Sequence, residues 1–380
     1  MAETLIFENA QLVLADHVLD GWLALTDGKI AEIGTGRAPE RGTDCHGDLL
    51  VPGLVELHTD HLERHLRPRP RVVWPVRAAI QAFDAQVSAA GMTTVFDCIR
   101  VGHDFDVEME DSESVRMATA INASQSAGLL RAEHRIHLRC EVCADNVIDE
   151  FESVSAASSV HLVSLMDHTP GARQFSDLDA WRTYYGGMSG RTAQQLDDLV
   201  RVKREQYDRN YQRHRKTLVV RAREQEIALA SHDDATNAHV AESIEDGVSI
   251  AEFPTTVDAA QASHKARITV MMGAPNVVRG GSHSGNVAAE TLARSGVLDA
   301  LSSDYVPGSL LPAAFHLADR VDHIDLPSAI RLVTLNPARA AGLNDRGELR
   351  EGKRGDVVRV KVYDGEPIVR EVYRNARRVL

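Results

Sequence analysis

Eight short apolar runs, separated by stretches of helical composition, alternate through the middle of the 380-residue chain. A strand followed by a helix, repeated in this way, is typical of βα units and a parallel sheet. Eight such units are the number that closes a (β/α)8 TIM-like barrel. The sequence therefore predicts an α/β fold built on this barrel. The predicted strands are Leu54–Leu57, Thr93–Phe96, Ile136–Val142, Val160–Met166, Ile227–Ser231, Ser249–Ala251, Ile268–Met272 and Ala300–Ser303.

Both ends of the chain have a different texture, with short β segments in place of βα units. Asp27-Gly28 between two apolar runs is a strong hairpin signal, and similar segments return near the C-terminus. We expect residues 1–52 and 343–380 to form one small β domain, and residues 53–342 to form the barrel. Residues 176–226 interrupt the alternation of strands and helices with a glycine-rich piece and a charged helical stretch. This segment is either a lid over the site or a solvated helix.

The composition argues against several classes of protein. No apolar run reaches the roughly 20 residues that span a bilayer, and the N-terminus lacks the pattern of a secretory signal. Four cysteines are too few for a disulfide framework in a chain of this length. The net charge of −13 argues against general nucleic-acid binding, which requires a basic surface. We therefore expect a cytoplasmic protein that holds any anionic ligand by local clusters of basic residues.

Potential metal ligands follow nearly every predicted strand. The active site of such a barrel lies at the carboxyl ends of its strands, so residues at these ends are brought together. His58 and Asp60 follow the first strand, and their nitrogen and oxygen atoms suit zinc or manganese. The convergence predicts a site for one or two divalent ions. The remaining strand ends carry Asp97, Glu141, Asp167, His168, His232, Asp233, Glu252, Asn276 and Asp304.

Each of these residues alone also has an ordinary structural explanation. His168 could cap a loop, His232 could be a satisfied core histidine, and Glu141 could pair with Arg139. His58, His232 and Asp304 are the strongest candidates, because all three fall in register at strand ends.

A glycine-rich segment after the seventh predicted strand is a candidate phosphate site, since barrels often bind phosphate at this position. Adjacent glycines let backbone amides converge on an anion, and basic and hydroxyl side chains add donors; a plain surface turn is the alternative. Further basic residues are candidates too, with an exposed surface position as the ordinary explanation of each. The segment contributes Asn276, Arg279, Gly280, Gly281, Ser282 and His283, and the other candidates are Arg64, His65, Arg69, Arg173 and Lys265.

The residues around the first and last strands resemble the amidohydrolase superfamily. The segment 52–58 (PGLVELH) looks like its opening strand, and 302–305 (SSDY) resembles its closing strand. More narrowly, residues 58–65, 164–171, 251–256 and 271–286 resemble the ribose triphosphate diphosphatases of the carbon–phosphorus lyase pathway. Asp60 and Glu252 stand where many superfamily members have histidine, and these departures fit the narrower family.

The resemblance implies hydrolysis of a ribose 5-triphosphate that bears a 1-phosphonate, giving the 5-phosphate and pyrophosphate. It implies a small phosphorylated substrate, with zinc or manganese as cofactor. The alternatives are a hydrolase of C–N bonds on the same barrel and a non-catalytic barrel within a phosphonate-processing assembly. A homo-oligomer is a further expectation. The implied metal ligands are His58, Asp60, Glu141, His168, His232 and Asp304, of which Asp304 is also the proton acceptor.

Overall fold

The structure is a computed structural model that describes residues 4–102, 112–175, 178–179, 181–183, 191–282 and 284–380. Its strands form two sheets of eight strands each. The first sheet contains β1 (Leu5–Val13), β2 (Val18–Thr26), β3 (Lys29–Thr35), β4 (Thr43–Asp44), β5 (Leu49–Pro52), β14 (Val357–Tyr363), β15 (Glu366–Arg374) and β16 (Arg377–Arg378). The second contains β6 (Leu54–Thr59), β7 (Met92–Val101), β8 (Glu133–Glu141), β9 (Val160–Met166), β10 (Ala228–His232), β11 (Ile250–Glu252), β12 (Thr269–Gly273) and β13 (Ala300–Ser302).

The second sheet is the predicted barrel. Its strands pair in parallel and in chain order from β6 to β13. The ring closes where the Asp304 amide donates to the His58 carbonyl oxygen at 3.1 Å, beside a parallel bridge between Thr59 and Asp304. Each of the eight predicted apolar runs overlaps one strand, so the predicted fold class is confirmed.

Helices surround the barrel. Three of them bear on the site and on stability: Val76–Ala89, which covers β7; Val257–Lys265, which leads from β11 to β12; and Ala193–Glu224, which has 32 residues. Further helices in the described part of the chain are Leu62–Leu66, Glu113–Ser126, Val147–Ala157, Asn237–Glu245, Ala274–Arg279, Ala289–Arg294, Leu310–Arg320, Leu326–Arg331 and Leu335–Ala340, with 3₁₀ turns at Arg173–Phe175 and Pro307–Ser309.

The first sheet joins the two ends of the chain, as the sequence indicated. Its order is β16-β15-β14-β5-β1-β2-β3, with β4 beside β1. The predicted turn at Asp27-Gly28 connects β2 to β3, and both of its residues have positive φ. Strand β5 from the N-terminal part lies antiparallel to β14 from the C-terminal part. The residue boundaries of the two predicted domains, 52/53 and 342/343, remain predictions.

The lower interior of the barrel is filled by apolar side chains, including Val55, Phe96, Ile250 and Met271. Leu343, which follows the helix Leu335–Ala340, belongs to the same buried cluster. This filling leaves open space toward the carboxyl ends of the strands, where the site was predicted.

The helix Ala193–Glu224 lies within the predicted insertion and packs on the barrel. Thr192 and Gln195 form a reciprocal capping box at its start. Along its length, Asn210 Nδ2 donates to the Cys143 carbonyl oxygen at 2.9 Å, and His214 Nδ1 lies 3.1 Å from the Val142 carbonyl oxygen. The glycine-rich piece Tyr184–Gly190, the core of the lid hypothesis, lies outside the described residues.

The strand end predicted at Asp97 is wrong, because β7 continues to Val101. Asp97 therefore lies within the strand, fully buried, where its carboxylate meets His134 Nδ1 at 2.9 Å. The continuation carries Arg100 to the carboxyl end of the barrel instead. Among the described helices, none is long and apolar enough to cross a membrane.

Candidate metal-dependent active site

A cavity of about 780 Å³ opens at the carboxyl end of the barrel. Its lining combines imidazoles, carboxylates and guanidinium groups, so it offers both metal ligands and anion-binding groups. Ten of the residues predicted to bind metal or substrate line this cavity: His58, Asp60, Arg64, His168, His232, Asn276, Arg279, Gly281, Ser282 and Asp304.

The floor of the cavity is a buried cluster of His58, His232 and Glu252. His58 Nδ1 lies 3.0 Å from Glu252 Oε1, and His232 Nδ1 lies 3.0 Å from Glu252 Oε2. The two imidazoles stack with 5.5 Å between ring centroids. These three residues come from the ends of β6, β10 and β11, strands that the barrel closure brings to one rim.

Two buried atoms of this cluster lack hydrogen bonds within the described part of the chain, which is a sign of a metal site. His58 Nδ1 and Glu252 Oε1 are close, yet neither atom has an aligned hydrogen bond among the described residues. Buried polar atoms without partners are costly, and two ligand atoms of one ion lie at about this separation. Burial lowers the pKa of His232, which favours the neutral imidazole that a metal requires. Burial opposes charge on His58 too, but Cys98 and Glu252 raise its pKa, so His58 would release a proton when an ion binds. The residues therefore fit a divalent ion.

A second ligand group shares His232. His168, His232 and Asp233 can each place one ligand atom within 4.8 Å of the others. Asp233 Oδ2 lies 3.5 Å from His232 Nε2 and is buried without a hydrogen-bond partner among the described residues. Glu141 lies behind this group, with Oε2 at 2.6 Å from His168 Nδ1. The structure thus brings Glu141 to the predicted site through His168.

A layer beneath the cluster orients Glu252. Ser164 Oγ donates to Glu252 Oε2 at 2.7 Å and also contacts His137 Nε2. His137 Nδ1 lies 2.9 Å from the Leu57 carbonyl oxygen. Burial lowers the pKa of His137 to about 3, so this imidazole stays neutral. Partners of this kind fix the orientation of metal ligands.

Asp304 lies at the cavity wall just after β13. Burial, together with the nearby carboxylate of Asp60, raises the pKa of Asp304 to about 6. Its position is set by Glu56, whose carboxylate accepts from the His58 amide at 2.6 Å and the Ser303 amide at 2.5 Å. The Glu56 carboxylate therefore links the end of β6 to the residue after β13, at the point where the barrel closes.

Three residues after barrel strands adopt left-handed backbone: Asp233 with φ 54°, Phe253 with φ 54° and Asp304 with φ 51°. Non-glycine residues rarely adopt this conformation, which stores strain and clusters at functional sites. Here it accompanies the turn of the chain away from the strands at the cavity floor.

Among the residues that the structure describes, five arginines line the cavity: Arg64, Arg67, Arg100, Arg139 and Arg279. Two of them also contact carboxylates: Arg67 bonds Glu113 through two contacts of 2.5 Å, and Nη1 of Arg139 donates to Asp60 at 3.0 Å. Arg64 and Arg279 are exposed at the mouth. The wall of the cavity is therefore suited to an anion, although the protein as a whole is acidic.

The glycine-rich segment is partly helical. Residues Ala274–Arg279 form a short helix, and Gly280 ends it with φ 80°. The amides of Gly280 and Gly281 donate to carbonyl oxygens of that helix, at 3.2 and 2.8 Å, so the structure does not direct them at the cavity. Arg279 and Ser282 remain at the mouth, and His283 lies outside the described residues.

Arg173 is not at the cavity wall. Its guanidinium is buried, with Nη1 at 2.5 Å from Asp234 Oδ1 and Nη2 at 2.9 Å from the Tyr211 hydroxyl. Asp167 and Glu242 lie within 4 Å of the same group. Because four polar side chains surround it, Arg173 joins the helix Ala193–Glu224 to β10, and its donors are not directed at the cavity.

Lys265 lies at the opposite face of the barrel. It ends the helix Val257–Lys265, which runs antiparallel to the strands, so its end returns to the amino-terminal rim. His65 and Arg69 lie outside the cavity lining as well, and His65 Nε2 contacts Gln86 Oε1 at 2.8 Å.

The cavity and its floor contain side chains that the sequence did not identify as ligands or substrate contacts. Glu252 and Asp233 were recognised as strand-end residues but were not assigned as ligands, although the acidic residue at the end of β11 was the available signal. The sequence does not single out Arg100 and Arg139, since an arginine within a strand has no distinctive pattern in one sequence.

Comparison with known proteins gives the family. A sequence model of the amidohydrolase family matches residues 111–378. The chain is also 46% identical, over 99% of its length and 100% of the relative's, to the α-D-ribose 1-methylphosphonate 5-triphosphate diphosphatase of Escherichia coli strain K12.

The chain belongs to the amidohydrolase family. As an amidohydrolase it is a hydrolase, which confirms the expected enzyme class. Solved structures of similar fold include an N-acetyl-D-glucosamine-6-phosphate deacetylase of Mycobacterium smegmatis, at TM-score 0.63, 16% identity and coverage of 100% of this chain and 99% of that one. Another is the ochratoxinase of A. niger, at TM-score 0.67, 14% identity and coverage of 100% and 96%. At these identities the likeness concerns the fold alone.

Proposed function

We propose that this amidohydrolase hydrolyses α-D-ribose 1-methylphosphonate 5-triphosphate to the 5-phosphate and pyrophosphate, with zinc or manganese as cofactor. The observation that carries the proposal is the meeting, in one cavity, of a buried His58–His232–Glu252 cluster and five arginines. The name of the Escherichia coli relative, 46% identical over nearly the whole chain, specifies the substrate.

His58, His232 and Glu252 would hold the ion, with His168 and Asp233 as ligands for a second one. A divalent ion at such a site lowers the pKa of water and offsets charge on phosphoryl oxygens. The nitrogen and oxygen donors suit either zinc or manganese.

Asp304 would accept the proton of the attacking water. Its raised pKa, about 6, is close to the value at which a carboxylate is both ionised and basic near neutral pH. Glu56 holds Asp304 at a fixed distance from the ligands through the Ser303 amide, so the base keeps its orientation before substrate binds.

The arginines would bind the triphosphate. Guanidinium groups match phosphate oxygens with paired N–H donors, and Arg64 and Arg279 at the mouth would contact the terminal phosphates. The leaving pyrophosphate gains charge as the bond breaks, and cations near it lower that cost. The alternative function is a C–N hydrolase whose substrate is a neutral cyclic amide. Such a substrate would not require arginines along the cavity wall.

Cytoplasmic localisation and a homo-oligomeric state are further predictions. Fractionation of cells and light scattering on the purified protein would test them separately from the chemistry.

The decisive experiment is phosphorus NMR of the purified, metal-replete protein with α-D-ribose 1-methylphosphonate 5-triphosphate. Equal amounts of pyrophosphate and 5-phosphate are expected. A cyclic amide is offered in parallel, and His58→Asn serves as the metal-deficient control. Turnover of the amide with no pyrophosphate release would replace the proposal by the C–N hydrolase.

A further inference from the structure

Asp60 and Arg139 form an ion pair inside the cavity that the ligand cluster does not explain. Asp60 directly follows β6, and Arg139 lies near the end of β8, two strands away. Asp60 Oδ2 accepts from Arg139 Nη1 at 3.0 Å, and the Arg139 side chain is only 14% exposed. Both residues line the cavity beside His58.

Arg139 is held firmly but keeps free donors. Its Nε donates toward Met166 Sδ at 3.3 Å, which together with the Asp60 contact fixes the plane of the guanidinium. Nη2 has no partner in the part of the chain that the structure describes. Because Arg139 lines the cavity and Nη2 is not sealed in the protein interior, its N–H groups are available to a bound molecule.

The surroundings keep Arg139 charged. A guanidinium does not lose its proton in proteins, and the Asp60 carboxylate lies 3.0 Å from Nη1 of Arg139. A permanent cation at this point repels a divalent ion. Consistently, Asp60 belongs to none of the groups of potential ligands found among the described residues, whereas His58 and His232 do.

We propose that Asp60 anchors Arg139 and does not ligate the metal, and that Arg139 binds an oxygen of the phosphoryl group under attack. The proposal rests on the proposed triphosphate hydrolysis for the identity of that group. Its statement about Asp60 stands independently, because it concerns metal binding alone. It also revises the ligand set drawn from the sequence, in which Asp60 was included.

The chemistry favours a guanidinium here. In phosphoryl transfer, charge spreads over the non-bridging oxygens as the bond to the leaving group weakens. A planar donor already oriented by a carboxylate requires no reorganisation at that moment. Lysine would keep the charge but lose the paired N–H geometry, which makes Arg139→Lys the informative substitution.

The test compares Asp60→Asn and Arg139→Lys with a matched pair. Asp48 and Arg359 form an ion pair of 2.7 Å in the terminal part of the chain, with the arginine about as exposed as Arg139 (13% against 14%). Asp48→Asn and Arg359→Lys therefore report the cost of weakening such a pair away from the cavity. His58→Asn is the control for metal loss. Bound metal is measured by elemental analysis, folding by thermal melting, and turnover by phosphorus NMR.

We expect Asp60→Asn to retain metal as fully as Asp48→Asn does, while His58→Asn loses it. Arg139→Lys should lower kcat by about 10²-fold, the typical cost of one preorganised donor, with a smaller change in KM. It should also weaken binding of an analogue with a methylene bridge between the α and β phosphorus atoms.

Two outcomes would overturn the inference. Metal loss in Asp60→Asn matching that of His58→Asn would make Asp60 a ligand. Turnover and analogue binding in Arg139→Lys equal to those of Arg359→Lys would remove Arg139 from substrate contact. If the wild-type protein releases no pyrophosphate, the proposed function fails on its own, and metal retention in Asp60→Asn still decides the role of Asp60.

Discussion

His134 should make the stability of this protein depend on pH above neutrality. The imidazole lies between two buried carboxylates, with Nδ1 at 2.9 Å from Asp97 Oδ2 and Nε2 at 3.2 Å from Asp84 Oδ1. Both nitrogens can donate only when the ring is protonated. Asp84 lies on the helix Val76–Ala89 and Asp97 on β7, so the charged ring on β8 ties that outer helix to the barrel wall.

The magnitude follows from the shifted pKa. Burial alone would lower the pKa of His134, but Asp97 and Asp84 outweigh it and raise the pKa from 6.5 to about 9. At about 1.4 kcal/mol per unit, the paired imidazolium contributes about 3 kcal/mol to the free energy of unfolding. Because the folded pKa is the higher one, this contribution is complete below the unfolded value of 6.5 and is lost as the pH rises through 9.

The assay is urea unfolding followed by circular dichroism at about pH 6 and about pH 10, for the wild type and His134→Gln. Cysteines, tyrosines and lysines also titrate in this range, so the informative quantity is the difference between the two proteins. The wild type should lose about 3 kcal/mol more than the variant as the pH rises. Equal losses in both proteins would show that His134 is already neutral in the folded state, and the reasoning would fail.

Four further predictions concern the site and its support. Glu252→Gln should release most of the bound metal, as elemental analysis after dialysis would show, because one ligand charge is removed; full retention would exclude Glu252 as a ligand. Asp304→Asn should keep the metal but lower kcat roughly 10²- to 10⁴-fold, the usual cost of losing a general base, and an unchanged rate would assign proton transfer elsewhere. Arg279→Ala should raise KM for the triphosphate more than it lowers kcat, measured by phosphorus NMR against a cyclic amide as neutral comparison. Arg173→Met should destabilise the fold by about 3–5 kcal/mol in urea unfolding, because Asp234 would remain buried without its partner, and no loss would contradict the structural role.

The strands of the barrel could be predicted from sequence because apolar runs of strand length recur with helical stretches between them. The end of a strand was harder to predict. β7 continues through Asp97 because that carboxylate is neutralised by His134, a residue of the next strand. A buried pair of this kind interrupts the apolar pattern without ending the strand, and a single sequence does not reveal the partner.

The candidate site was predictable where residues lie at the carboxyl ends of strands, as with His58 and His232, since the barrel itself brings those ends together. Basic residues were less predictable. Arg173 follows β9 closely, yet its guanidinium turns toward buried Asp234, and Lys265 lies near β12 in sequence but at the wrong end of it. Distance along the chain does not show which way a helix carries a side chain or which carboxylate pairs with it.

The pairing of β5 with β14 has a consequence for the order in which the protein is made. β5 continues through Gly53 into the first barrel strand, and a Cβ atom at Gly53 would meet Thr93 Oγ1 at 2.2 Å, so the junction is tightly fitted. One edge of β5 stays unpaired until the ribosome has produced Val357 and the strand that begins there. During that interval the nascent chain exposes an apolar strand edge of the kind that promotes aggregation. The first barrel strand also waits for its second neighbour, but β13 is complete at Ser302, before β14 begins. A chaperone that shields residues 49–52 during synthesis would therefore raise the yield of folded protein.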